Sequence, residues 1–162
     1  MLRSLRLLCV VGLVASLAVF PARAAQAKDL MGTFQDAGTF TIFLGAVKST
    51  GLTDILTSPG PITIFAPTDD AFAKLPPATF KDLMKLESKG KLPQLIAYHI
   101  VDGKATSRDF LGKRLEAATI TGGSILIDAT KLVMIGEGKL IKADILADNG
   151  FIHVIDTVLM PK

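Results

Sequence analysis

The sequence predicts an α+β fold, with helices gathered in the first half of the chain and strands in the second. Three observations lead there. Apolar residues recur at helical spacing from Phe40 onward. After Asp102-Gly103 the pattern changes to short β-branched runs separated by Gly and Asn turns. One strand-like run, Ile62-Thr63-Ile64-Phe65-Ala66, lies among the helices and reads as a buried strand.

The N-terminus reads as a leader. Arg3 and Arg6 make a positive start, Leu7–Phe20 is an apolar run of 14 residues, and Pro21 breaks it before the small residues Ala22 to Ala27. These are the three parts of a secretory signal peptide, with cleavage after Ala24 or Ala27 and Ala27 favoured. The run is shorter than the roughly 20 apolar residues a spanning helix needs. Residues 1–27 are therefore expected to be removed, leaving residues 28–162 as one domain with no integral membrane segment. Three of the 18 basic residues lie in the leader and none of the 15 acidic ones, so the remainder has no net charge. Nucleic-acid binding is excluded by the missing basic footprint. Cys9, the only cysteine, also falls in the leader, which leaves no disulfide, thiolate metal site or thiol nucleophile beyond it.

Along the rest of the chain, Phe40, Phe43, Leu44 and Val47 form a helical stripe stopped by Gly51. Leu52, Ile55 and Leu56 lead to the turn Ser58-Pro59-Gly60-Pro61. The strand at Ile62 follows, and then Pro67-Thr68-Asp69-Asp70, where Thr68 or Asp69 caps a short helix ended by Pro76-Pro77. Further helices are expected from Thr79 to Ser88 and from Pro93 to Ile100. Thr119 to Ile127 reads as two strands around Gly122-Gly123, and Lys131 to Ala147 as a second hairpin. Phe151 to Leu159 is the final strand, apolar on both faces and so covered on both. Alternation puts Phe151, His153 and Ile155 on one face and Ile152, Val154, Asp156 and Val158 on the other. His153 and Asp156 thus sit in apolar settings, each requiring a hydrogen-bond partner.

Three of these segments resemble the fasciclin domain family. Thr63, Phe65, Ala66, Pro67, Thr68, Asp69, Ala71 and Phe72 look like its first signature. Tyr98-His99 falls where the family carries its Tyr-His pair. Asp144-Ile145, then Asn149-Gly150 through His153 and Asp156 to Pro161, looks like its second signature. The resemblance implies a wedge-shaped β-sandwich with several helices packed along it. It also implies a role in adhesion, through contact with a cell-surface or extracellular-matrix protein or polysaccharide. The implied contact residues are Tyr98, His99, Asp144 and Ile145. Lys142-Ala143 precedes Asp144-Ile145 here, so integrin binding is not carried over.

His99 and His153 are the only histidines, and without cysteine or tight carboxylate–histidine spacing they read as core histidines rather than a metal or acid–base pair. Tyr98 is expected to fill core while its hydroxyl finds a backbone partner. Thr68-Asp69-Asp70 reads as capping rather than a cation site, and Lys85, Lys89 and Lys91 as a solvated face near a helix end. No serine has a nucleophile-elbow context, and no glycine-rich loop opens a helix. No catalytic, metal or cofactor site is expected. The role is that of an exported binding module, periplasmic or extracellular. The alternative is a carrier of a small apolar ligand held between helices and sandwich.

Overall fold

The computed structural model describes residues 28–84 and 90–161. The expected leader, residues 1–27, lies outside the described residues, as do Lys85, Glu87, Lys89 and the expected helix end at Ser88.

The helices come first. α1 (Leu30–Ala37), which hydropathy did not signal, is capped by Asp29, whose carboxylate accepts the Gly32 N–H at 2.7 Å. α2 (Thr41–Thr50) carries the anticipated stripe, burying Phe43, Ala46 and Val47, and ends at Gly51 with φ 73°, a conformation that favours glycine. α3 (Thr53–Thr57) buries Leu56. β1 (Ile62–Pro67) follows, and α4 (Asp69–Ala73) is capped by Thr68, which accepts the Ala71 N–H. α5 (Pro77–Met84) and α6 (Lys91–Tyr98) complete the helical half. β2 (Ile100–Asp102) starts where a helix was expected to end, because Ile100 pairs with Ile64 of β1.

α7 (Ser107–Phe110) was also unanticipated, although Thr106 and Asp109 form a capping box three residues apart that could have revealed it. The strands are β3 (Arg114–Ala118), β4 (Ser124–Asp128), β5 (Met134–Ile135), β6 (Gly138–Ala147) and β7 (Gly150–Ile155). Two expectations are corrected here. The first arm of the Gly122-Gly123 hairpin is Arg114–Ala118, and Thr119 to Gly123 is its turn, closed by the Thr119 N–H to the Gly123 carbonyl at 2.8 Å. β7 ends at Ile155, so Asp156 lies beyond the strand rather than on its apolar face.

The strands form one sheet in the order β2-β1-β7-β6-β5-β4-β3. Among the described strands, β1 and β7 are the pair that runs parallel. A bridge from Val101 to Thr119 brings the two ends of the order together, so the sheet folds over on itself. Between its halves lies one apolar cluster, with Phe65, Phe110, Ile125, Ile127, Ile135 and Ile155. A second fills the space between the helices and the outer face of β1 and β7, with Phe34, Phe43, Leu56, Ile64, Ile96 and Ile152. Each such side chain, fully buried, contributes about 1.5–3 kcal/mol. β7 is covered on both sides, as its apolar alternation predicts. The close parallel register of β1 and β7 also dictates Gly150: a Cβ there would sit 2.1 Å from the Ile62 carbonyl oxygen.

Candidate binding surface

Both histidines lie on this double-sided core. His99 caps α6 and is fully buried, edge-on to Phe43. Its Nδ1 lies 2.7 Å from the Leu95 carbonyl, which can only accept, so Nδ1 carries the proton. Its Nε2 accepts the Leu159 N–H at 3.0 Å. The ring thereby ties the end of α6 to the C-terminal segment as a neutral imidazole. Burial pushes its pKa down to about 4, against the raising effect of the Leu95 bond. The expectation that His99 contacts a partner is therefore corrected: the ring is enclosed and both nitrogens are used.

His153 holds the opposite tautomer. Its Nε2 donates to the Ala105 carbonyl at 2.7 Å, and its Nδ1 accepts the Asp144 N–H at 3.3 Å. The ring stacks on Phe65 at 5.4 Å and meets the Phe110 edge at 5.6 Å. Burial lowers its pKa, opposed by the Ala105 bond and the Asp144 charge. Neither imidazole has a nitrogen left for a metal or a substrate proton.

Asp144 sits where β6 bulges, at φ 55°, the one left-handed non-glycine among the described residues. Such a conformation costs of order 1 kcal/mol, and what offsets it is visible. The carboxylate accepts the Ser107 N–H at 2.8 Å and the Ser107 hydroxyl, capping α7 from across the sheet. Desolvation raises the Asp144 pKa, but the two Ser107 bonds, with electrostatic help from His153 and Arg108, together hold the carboxyl below the usual range. Thr63, fully buried, pins the same loop by donating to the Gly103 carbonyl and accepting the Ala105 N–H, both at 2.9 Å. These bonds tie together the β6 bulge, His153 and the loop into α7.

Other signature residues divide plainly. Ala66, Ala71 and Phe72 are core, Phe65 carries the His153 stack, and Pro67 pairs with Ile155 at the end of β1. Asp69 does not cap its own helix. Its carboxylate reaches α2 and accepts the N–H groups of Thr41 (3.2 Å) and Ile42 (2.8 Å). Asn149 clamps three segments, accepting the Leu30 N–H and donating to the carbonyls of Leu56 and Ser58. Asp156, placed by alternation in an apolar setting, is instead half-exposed. It accepts the Lys139 N–H at 2.8 Å and pairs with Lys74 at 3.2 Å. The Lys139 bond chiefly lowers its pKa, with burial opposing and Thr157 and Lys74 assisting. Tyr98 is half-buried and its hydroxyl donates to the Ser124 carbonyl at 2.9 Å, the backbone partner expected for it.

Of the anticipated contact residues, Asp144 is exposed, while Ile145 and Tyr98 are half-buried. On β6 the more exposed apolar side chains are Leu146 at 65% and Ile141 at 57%. Among the described residues no group of three or more His, Cys, Asp or Glu is placed to hold a metal ion. Nor is any helix there long and apolar enough to cross a membrane.

Comparison with known proteins bears on this arrangement. The fasciclin domain profile matches residues 38–161. The chain belongs to the fasciclin-domain family. It is 43% identical over 121 residues to an uncharacterized protein of Synechocystis sp., a match covering 75% of this chain and 89% of that one. The fasciclin domain here is also 32% identical over 136 residues to the transforming growth factor-beta-induced protein ig-h3 of Sus scrofa, covering 81% of this chain but 20% of that protein. The solved FAS1 domain pair from the insect cell adhesion molecule Fasciclin I superposes with a TM-score of 0.57 at 19% identity. That match covers 76% of this chain and 46% of the other, and it shows that the fasciclin fold is shared.

Proposed function

We propose that this protein is an exported fasciclin-domain binding module, residues 28–162 after removal of a leader. It works by surface contact with a cell-surface or matrix protein or polysaccharide, in the periplasm or outside the cell. The observation that carries the reading is the exposed apolar surface of β6. Ile141 and Leu146 flank the bulge at Asp144, exposed on a backbone held by His153 and Ser107. An apolar contact on a pre-ordered strand loses little conformational entropy on binding. The likeness to a cell adhesion molecule supports the same reading. Asp144, Ile145 and Tyr98 are the accompanying contact residues, and His99 and His153 act by holding the fold.

The test measures attachment of protein-coated beads to cells alongside thermal melting. The double variant Ile141→Ser, Leu146→Ser is expected to keep its melting temperature and lose attachment. His153→Ala is expected to lose attachment only in proportion to its unfolded fraction. Full attachment by the double variant refutes the β6 assignment.

A second reading has its own observation. Ile42, Phe72, Ala73, Leu75, Pro77 and Phe80 line a predominantly apolar groove of about 350 Å³ between α2, α4 and α5. That volume suits a small apolar ligand. Organic extraction and mass spectrometry of the purified protein test it, and an empty extract counts against a carrier role.

A further inference from the structure

We infer that Asn149 is a deamidation site locked by the fold, and that its hydrolysis makes unfolding of this protein irreversible. Asn149 is the only asparagine of the chain, and glycine follows it. In an unfolded chain this dipeptide is the least hindered setting for one reaction, because Gly150 has no Cβ to block its own nitrogen. The Gly150 nitrogen attacks Cγ of Asn149 and forms the new N–Cγ bond of a succinimide. The Cγ–Nδ2 bond breaks, and ammonia leaves with the former Gly150 amide proton. Water then opens the ring to aspartate or isoaspartate. No electrons are transferred, and water is the only co-reactant.

The fold both demands this dipeptide and blocks its reaction. Glycine is required at 150, since a Cβ would lie 2.1 Å from the Ile62 carbonyl oxygen. An amide is required at 149. Oδ1 accepts the Leu30 N–H at 3.0 Å, and Nδ2 donates to the carbonyls of Leu56 (2.8 Å) and Ser58 (3.0 Å). The backbone is fixed as well. The Asn149 carbonyl accepts the Ile62 N–H, and Gly150 pairs with both Ile62 and Ala147. With the side chain held on one side and the Gly150 nitrogen in the sheet on the other, ring closure must wait for opening of this corner.

The product cannot rebuild the clamp. A carboxylate has no hydrogen to donate, so it would face the Leu56 and Ser58 carbonyls acceptor to acceptor. Isoaspartate also lengthens the backbone at the point where β7 enters its register with β1. Each excursion into the unfolded state therefore risks a chemical step that closes the way back.

The experiment holds the purified protein native, and in parallel unfolded in urea, at mildly alkaline pH. Intact mass and peptide mapping are followed over time, with refolding yield on dilution. Expected is conversion at position 149 in the unfolded sample, with refolding yield falling at the same rate. Conversion in the native sample should be more than about tenfold slower, because it requires opening. Unfolded Gly150→Ala should convert more slowly than wild type, and Asn149→Asp should melt lower or fail to fold. Equal conversion rates in native and unfolded samples would overturn the inference. So would full refolding of converted chains, conversion in Gly150→Ala as fast as in wild type, or a wild-type melt for Asn149→Asp.

Discussion

Mild acid should weaken this protein well above the pH at which its carboxylates titrate, and His99 supplies most of the reason. In the fold the imidazole is buried and neutral, donating to the Leu95 carbonyl and accepting from the Leu159 N–H. Burial penalises the protonated ring and outweighs the raising effect of the Leu95 bond, so the folded pKa falls to about 4 from 6.5. The unfolded chain therefore binds a proton near pH 6.5 that the folded chain refuses until about pH 4. The stability this provides is complete above the unfolded value and is lost as pH falls toward the folded one. Linkage over that interval gives a loss of about 2 kcal/mol between pH 7 and pH 5. His153, also depressed by burial, adds a loss of the same sign. Asp109, Asp128, Asp144 and Asp156 are held below the ordinary carboxylate range, so their losses come at lower pH. For a urea dependence of about 2 kcal/mol/M, the unfolding midpoint should drop by about 1 M between pH 7 and pH 5. Urea melts at both pH values, with the ring resonances of His99 followed by NMR, make the test. A midpoint that does not move, or a folded His99 ring titrating near its ordinary value, would refute the argument.

Other consequences are more local. Asp69→Ala removes the cap of a helix 28 residues away in sequence, and should cost about 1–2 kcal/mol in chemical denaturation with most of the loss in α2. A loss below a few tenths of a kcal/mol would show that water replaces it. Gly150→Ala should abolish folding, read as loss of the cooperative thermal transition, because its Cβ would overlap the Ile62 carbonyl. Tyr98→Phe leaves the Ser124 carbonyl to solvent at a half-exposed site and should cost about 0.5–1.5 kcal/mol. Attachment should respond weakly to salt, since residues 28–162 carry no net charge; a steep decline between low and moderate salt would contradict this.

Much of the architecture was legible in the residues because it depends on local chemistry. The 3.6 periodicity of Phe40 to Val47, the glycine at 51 and the cap at Thr68 each act within a turn of chain. Apolar alternation on both faces of β7 was enough to place that strand between two layers. Misses occurred where the signal was short. α1 buries only Leu30 and Phe34, too few for a clear stripe, and β2 and β5 are three and two residues long. The capping box at Thr106 and Asp109 was a readable signal for α7.

What the sequence determined by itself was the class of fold, the family and the need for partners at His153 and Asp156. Tertiary structure alone decided who those partners are. Asp69 caps a helix formed earlier in the chain, Asp144 caps α7 across the sheet, and His99 reaches the Leu159 amide 60 residues later. It also separated the two signature residues, enclosing His153 between Phe65 and Phe110 while leaving Asp156 half in water beside Lys74. Periodicity records which face of an element avoids water. Which donor meets which acceptor depends on how remote segments pack, and no spacing along the chain encodes that.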